Sequence, residues 1–309
     1  MLQSSDIFND LWICGHKSPK LKMKKSGIFL LLCLALIQQT QSSGQVRHIK
    51  EVYKTVDTFR LKMDIFFDER SFENDNKTAI VFFHGGGWSG GSCTEFFTTC
   101  ERYAEMGIVT FSVDYRLSSD NGLFLHNPVS PIECVIDAKS AIRWVRENAQ
   151  KFHIDPDRIV AAGQSAGGQL VLATAMIEDY SEKSDNLKTS CKPDAVLLFS
   201  ACVNTLEGWC DRLLADRRHK IWSISPTHNM KSGLPPMIDF HGTEDEQVPV
   251  WTARYFESEM KKLGNYFELH LYDGRKHYLG NGNPKYSNYF DDGILDITDE
   301  FLRSFHFLK

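Results

Sequence analysis

An α/β fold, with helices on both faces of a mostly parallel central sheet and an antiparallel hairpin at its N-terminal side, is predicted by three features of the sequence. Short, nearly continuous apolar runs recur along the chain, as strands buried on both faces require. Segments with apolar residues at helical spacing separate those runs. The first two strand-like segments instead alternate apolar and polar residues, the pattern of strands with one solvated face.

The alternating pair is EVYKTV (51–56) and FRLKMDIFF (59–67), which reads as an exposed antiparallel hairpin. The buried strands are AIVFF (79–83), GIVTFSVDY (107–115), RIVAAG (158–163), AVLLFSA (195–201), PMIDFHG (236–242) and YFELHLY (266–272). Helices are expected over 94–106, 132–149, 166–177, 249–263 and 291–307. In the second of these, Ile132, Val135, Ile136, Ile142, Val145 and Ala149 share one face, and the helix stops near His153-Ile154-Asp155-Pro156. Strands alternating with helices in this way build a parallel sheet.

One segment breaks the rhythm. Residues 203–233 have weak periodicity and are too long for a plain connection, and loops of that size commonly serve as lids or binding loops. This short lid-like insertion carries Glu207, Asp211, Arg212, Asp216, Arg217, Arg218 and Lys220. Its apolar residues Leu213, Leu214, Ile221 and Trp222 are expected to anchor it to the body while making a poor lipid-facing surface.

With 309 residues, 42% hydrophobic and 24% charged, the composition is that of an ordinary globular chain. A net charge of −5 and the lack of a long basic block argue against nucleic acid as a partner. The cluster Lys17, Lys20, Lys22, Lys24 and Lys25 stands before SGIFLLLCLALI (26–37), which is followed by small and polar residues. That is the layout of a secretory signal peptide, and the apolar run falls short of the ~20 residues that span a bilayer. An uncleaved membrane anchor is the competing reading. Met23-Lys24-Lys25 makes a sufficient start for such a signal, so translation is expected to begin at Met23. Residues 1–43 are therefore read as the signal region and 44–309 as a single secreted or periplasmic domain, with no stable membrane association after cleavage.

Beyond the signal region lie Cys93, Cys100, Cys134, Cys191, Cys202 and Cys210. An even count in an exported protein permits disulfides, and buried free thiols in a domain of this size are an equal alternative. Neither CxxC nor HxxxH spacing occurs, so no metal and no cofactor are expected.

The chemistry concentrates in two glycine-rich junctions. Gly163-Gln164-Ser165-Ala166-Gly167-Gly168 lies between a buried strand and a helix, where a sharp turn holds the serine hydroxyl above the sheet. His84-Gly85-Gly86-Gly87-Trp88 follows an earlier strand. Three consecutive glycines pack nothing, so their use is to bring backbone N–H groups close to a partner. Serine attack on an ester develops negative charge on the carbonyl oxygen, and each fixed N–H donor stabilises that charge by ~3–4 kcal/mol. Gly86, Gly87 and Ala166 are the expected oxyanion donors.

A serine nucleophile needs a base, and the base needs an orienting carboxylate. His277, on the loop after the last strand, is the candidate base. His270 falls inside the strand alternation and reads as packing, and His241 precedes every candidate acid and is suited to orient the acidic loop. Glu244, Asp245 and Glu246 all lie on that loop. Trp88 and Trp222 are candidates both for lining a substrate pocket and for core packing.

Together, His84–Trp88, Asp114-Tyr115-Arg116-Leu117, Gly163–Gly168 and His241-Gly242-Thr243-Glu244-Asp245-Glu246-Gln247-Val248-Pro249 resemble the α/β-hydrolase esterases. The resemblance covers residues 50–309 and is to the acetyl-esterase and carboxylesterase branch related to hormone-sensitive lipase. The acidic loop is more similar to that of carbohydrate-esterase and feruloyl-esterase-like relatives. The resemblance places the triad acid of the HGxxDxxVP pattern on Asp245. It departs from the family at Gly274-Arg275-Lys276-His277-Tyr278, where a lysine precedes the base. Asp114 and Arg116 are expected to support the oxyanion loop structurally. The implied reaction is hydrolysis of short-chain carboxylic esters, acetyl or feruloyl esters of carbohydrates among them, by a Ser165-Asp245-His277 triad. Arylformamidase-like amide hydrolysis, lipase activity and a non-catalytic adhesion role are the alternatives.

Overall fold

Eight strands form one sheet in the order β1-β2-β4-β3-β5-β6-β7-β8. They are β1 (Val46–Val56), β2 (Phe59–Asp68), β3 (Lys77–Phe83), β4 (Val109–Val113), β5 (Ile154–Gln164), β6 (Ala195–Phe199), β7 (Met237–Gly242) and β8 (Phe267–Tyr272). The computed structural model describes residues 46–69, 76–118, 129–206, 210–280 and 290–309. The signal-like segment lies outside the described residues, and Gly44–Lys309 forms one compact unit.

Strands β4, β3, β5, β6, β7 and β8 pair in parallel, whereas β1, β2 and β4 pair antiparallel. The continuous apolar runs are explained by cover on both faces, since every residue of β4, β6 and β7 is buried. The expected exposed hairpin is corrected in one respect. Of the hairpin's two strands only β1 lies at an edge of the sheet; β2 lies between β1 and β4 and is buried from Met63 onward, because β4 crosses over to sit beside it.

The pleat sends alternate side chains to two separate cores. Val81 and Phe83 of β3 face one, with Val135, Leu170 and Phe256; Ile80 and Phe82 face the other, with Phe96, Tyr103, Phe290 and Leu302. Helix α1 (Phe97–Glu105) covers the second face, and α2 (Pro131–Glu147) and α3 (Ala166–Met176) the first. All eleven residues of α3 are buried, so this helix shows no amphipathic stripe. Helix α2 starts at a capping box in which Ser130 and Glu133 satisfy each other's backbone donors, with Pro131 at the first helical position.

The insertion consists of α4 (Cys210–Leu214) and tight helical turns over Ala215–Ile224 and Pro226–His228. A two-pronged Arg217–Glu133 ion pair ties it to α2, and Leu213, Leu214 and Ile224 enter the core. Trp222 does not anchor it, being 53% exposed. Helices α5 (Val250–Lys262) and α6 (Asp292–Ser304) complete the two layers. No helix of the described residues is long and apolar enough to cross a membrane.

Candidate active site

At the end of β5 the chain passes directly into α3, and Ser165 takes φ 53°, ψ −119° at the junction. A non-glycine residue with positive φ is strained and persists only where its surroundings over-determine it. Here they do. Ser165 N–H donates to Phe199 O and Cys202 N–H donates to Ser165 O, each at 3.0 Å. A Cβ on Gly163 would strike Gly167 O, and one on Gly167 would strike Phe83 O. The elbow therefore requires bare backbone where β5, β3 and α3 meet.

The triple-glycine loop rests on the same logic. Gly86, Gly87 and Trp88 have successive φ values of +108°, +60° and +58°. A Cβ on Gly86 would strike Gly90 O, and one on Gly85 would strike the Gln164 side-chain oxygen. Gly86 O accepts from both Ser89 N–H and Gly90 N–H, which turns the loop back on itself. His84, buried beneath, stacks on Tyr115 at 4.4 Å, and its Nδ1 lies 2.7 Å from Gly85 O. Tyr115 OH donates to His84 O at 2.8 Å. Among the described residues, the Gly86, Gly87 and Ala166 N–H groups have no hydrogen-bond acceptor.

The acid–base side of the site is built from charge. Asp245 Oδ1 accepts from Gln247 N–H and Val248 N–H at 2.9 Å each, leaving Oδ2 to accept from His277 Nδ1–H at 2.7 Å. Burial pushes the Asp245 carboxyl up, but the His277 hydrogen bond and charge outweigh it and hold the carboxyl below its ordinary range. Glu244 and Glu246 point to solvent. His241 lies behind the acid, with Nε2 2.9 Å from Val248 O and 3.4 Å from Asp245 Oδ2. Its Nδ1 is 3.6 Å from Asp239 Oδ2. Burial raises the Asp239 carboxyl. Burial also pulls the His241 imidazole down, yet its contact with Asp239 carries it above the usual histidine range.

His270 stays in β8, stacked on Phe240 and paired with Glu268. Lys276 turns away to an exposed ion pair with Glu246 at 3.7 Å. Arg116 forms a bidentate pair with the fully buried Asp137, which also accepts from Lys54 Nζ at 2.7 Å. All six cysteines of the described residues are free thiols.

A cleft of about 270 Å³ opens beside Ser165, lined by Gly87, Trp88, Ala166, Cys202, Gln247 and Val248. Trp88 is both wall and core: it is 3% exposed, and its Nε1–H donates to Gln169 Oε1 at 2.9 Å. Gln169 Nε2 in turn donates to Ile224 O at 2.7 Å, joining the triple-glycine loop to the insertion. Trp222 is not part of this lining, nor is Gly86. Sequence reasoning alone gives no role to Gln164, Gln169, Cys202 or Tyr115, although Gln164 and Tyr115 sit inside motifs that carry the chemistry. The Gln164 amide nitrogen lies 3.1 Å from His277 Nε2, and Ser165 Oγ makes no hydrogen bond to that ring.

A serine hydroxyl on the cleft wall, an imidazole oriented by a buried carboxylate, and the unpaired N–H groups of Gly87 and Ala166 at the same cleft form a constellation able to perform acyl transfer. Comparison with known proteins agrees with this class of chemistry. Thermogutta terrifontis esterase 2 in its butyrate-bound form is 39% identical, with a TM-score of 0.75, over 86% of this chain and 96% of that one. Its propionate-bound form superposes equally well, with a TM-score of 0.75. An acetylxylan esterase of Xylanibacter ruminicola is 29% identical over 86% of this chain and 52% of its own. Esterase LipC of Mycobacterium tuberculosis is 29% identical over 62% of this chain and 51% of its own. The chain thus spans about half the length of these two curated relatives. Residues 63–260 match the BD-FAE family, so the chain belongs to the BD-FAE family and carries the α/β-hydrolase fold.

Proposed function

We propose that this protein is a serine esterase acting on short-chain carboxylic esters. The observation that carries the reading is the buried 2.7 Å Asp245–His277 hydrogen bond, whose imidazole Nε2 lies 3.1 Å from the side chain of Gln164, the residue immediately before Ser165 on its strained turn. Ser165 Oγ attacks the ester carbonyl while its proton passes to His277 Nε2; Asp245 holds the imidazolium that results. The carbonyl oxygen takes up negative charge against the Gly86, Gly87 and Ala166 N–H groups. The ester C–O bond then breaks, His277 returns the proton to the departing alcohol, and water releases the acyl group by the same steps.

Two features support a short acyl group. The cleft beside Ser165 is narrow, with Trp88, Cys202 and Val248 among its walls. The insertion contributes no residue to its lining and presents charge rather than a broad apolar face. The propionate- and butyrate-bound forms of the Thermogutta terrifontis esterase agree with that size. The acetylxylan esterase relative favours acetyl groups on carbohydrate alcohols as the natural class, ahead of feruloyl esters. Export through the segment 23–43 fits a polysaccharide substrate and is part of the same proposal.

The test is kcat/KM on p-nitrophenyl acetate, butyrate, octanoate and palmitate and on acetylated xylo-oligosaccharides. It is run beside labelling by a fluorophosphonate and the Ser165→Ala variant. Acetate or butyrate should lead, and label should reach Ser165 alone. A preference for palmitate or activity surviving in Ser165→Ala overturns the reading.

A further inference from the structure

We propose that Gln164 is a positioning residue for the base: its side-chain N–H occupies the Nε2 lone pair of His277 in the resting site and has to surrender it to Ser165 Oγ–H when substrate binds. This inference rests on the serine-esterase reading above. Gln164 ends β5, its side chain is buried, and it stands immediately before the nucleophile. The amide is confined on both sides. Its oxygen lies against Gly85, where any Cβ would collide with it, and its nitrogen lies 3.1 Å from His277 Nε2.

The chemistry of the ring agrees with that orientation. His277 Nδ1 is 2.7 Å from Asp245 Oδ2, so the neutral ring carries its proton on Nδ1 and presents a bare lone pair at Nε2. An amide N–H satisfies a lone pair; an amide oxygen in the same place would oppose it. Ser165 Oγ, with no hydrogen bond to the ring, is the second donor competing for that one acceptor.

Proton transfer reverses the relation. When the Ser165 O–H bond breaks and an Nε2–H bond forms, the new N–H faces the N–H of Gln164. Two donors cannot satisfy each other, so the imidazolium is driven to give its proton to the departing alcohol oxygen. The charged and titratable groups around His277 are consistent with Gln164 holding this role. Asp245 faces Nδ1, with His241 and Asp239 behind it; the Tyr278 ring packs edge-on at 5.3 Å; and Lys276 and Glu246 pair at the exposed rim. Gln164 is the side chain that meets Nε2.

The experiment compares wild type, Gln164→Glu and Gln164→Leu by the pH profile of kcat/KM for p-nitrophenyl acetate, with fluorophosphonate labelling of Ser165 in each. A carboxylate at this site accepts from the imidazolium Nε2–H and favours the protonated ring, an opposite-charge effect of about one to three pH units. In Gln164→Glu the acid limb should therefore move up by about one unit, giving roughly a tenfold deficit below the wild-type limb that narrows as pH rises. Gln164→Leu removes the N–H that opposes the imidazolium without adding charge, so its acid limb should also move up, by less than in Gln164→Glu, while kcat falls severalfold at unchanged KM. A wild-type limb in Gln164→Glu, with the protein folded and labelled, overturns the proposal. If Gln164→Glu does not fold, the 15N shift of His277 Nε2 in wild type and Gln164→Met decides: an identical shift in the two overturns the proposal and a displaced one supports it. Failure of wild type to hydrolyse ester or take label at Ser165 is a different result, and it refutes the esterase reading itself.

Discussion

The two halves of the site are held by opposite means. The nucleophile half, where β3, β5 and α3 converge, is fixed by the absence of side chains: Gly85, Gly86, Gly163 and Gly167 each stand where a Cβ would strike a neighbouring atom. The acid–base half, on the loops after β7 and β8, is fixed by side-chain charge: Asp245 holds Gln247, Val248 and His277 through hydrogen bonds to both its oxygens, with His241 behind. Steric assembly does not respond to pH, and charge assembly does. The halves should therefore fail in different ways when each is disturbed.

The largest expected loss is in the charged half. Asp245→Asn keeps the shape but replaces an acceptor with a group that can donate to Nδ1, inviting the wrong tautomer. In the serine-protease triad the same aspartate-to-asparagine change lowers kcat by ~10⁴, and a loss of similar order is expected here. Stopped-flow measurement of the acylation rate at pH 7.5 checks it; a variant within tenfold of wild type would remove Asp245 from the triad.

In the steric half, Gly86→Ala has to place a Cβ against Gly90 O at a backbone φ of +108°. The loop must shift, and the adjoining N–H donors with it. Loss of one oxyanion donor costs about 10²–10³ in kcat, and that is the expected range. The discriminating measurement is the pH profile of kcat: it should keep its shape in Gly86→Ala, at reduced height. A displaced acid limb would mean that the oxyanion loop and the base are electrostatically coupled, and the contrast between the halves would be broken.

Two aspartates in the charged half sharpen the comparison through stability. The native carboxyl of Asp245 is held below its ordinary value, so between that native value and the unfolded value of ~3.9 the unfolded chain binds more protons. Its contribution is present above about pH 4 and is lost as pH falls through the depressed native value. Burial raises the carboxyl of Asp239, so across the window above ~3.9 the native state binds more protons and stability falls as pH rises. Urea unfolding from pH 3.5 to 7 should show Asp239→Asn gaining on wild type as pH rises and Asp245→Asn losing ground. Parallel curves for the two variants would refute this assignment of opposite environments.

The same division explains which features are legible in the sequence. Backbone-determined ones are: the buried strands from their continuous apolar runs, the strand-to-helix turn from Gly163-Gln164-Ser165-Ala166-Gly167, and the tight loop from three consecutive glycines. Asp245 is distinguishable from Glu244 and Glu246 only through family resemblance, because the turn that buries one and exposes the others has no compositional signature. Gln164, Gln169 and Cys202 are not legible at all as contributors. Their places depend on which strands and loops become neighbours: β5 beside β3 brings Gln164 against Gly85, and the return of the insertion brings Ile224 to Gln169. The placement of β2 inside the sheet likewise depends on β4 crossing over, which no local pattern encodes.

The smallest expected effect concerns the insertion, which belongs to neither half. Its apolar pattern predicts Trp222 as an anchor, yet that side chain is 53% exposed and touches the His228 ring edge-on at 4.5 Å. The anchoring contacts are elsewhere: the Arg217–Glu133 pair, buried Leu213 and Leu214, and the Ile224 carbonyl on Gln169. The turn around Trp222 is kept by its carbonyl, which accepts from Asn229 Nδ2 at 3.1 Å and survives any side-chain change. Trp222→Ala should therefore stay within about 0.5–1 kcal/mol of wild type in urea unfolding, as surface substitutions generally do. Its kcat/KM for p-nitrophenyl acetate should change less than about twofold, because the cleft beside Ser165 does not include it. The substrate series separates two roles for the exposed indole. An unchanged acetate rate with a lower rate on acetylated xylo-oligosaccharide would place Trp222 under the alcohol portion of a longer substrate. A tenfold loss on acetate itself would mean that the insertion reaches the reacting ester, and the polar lid would have to be redrawn as part of the acyl site.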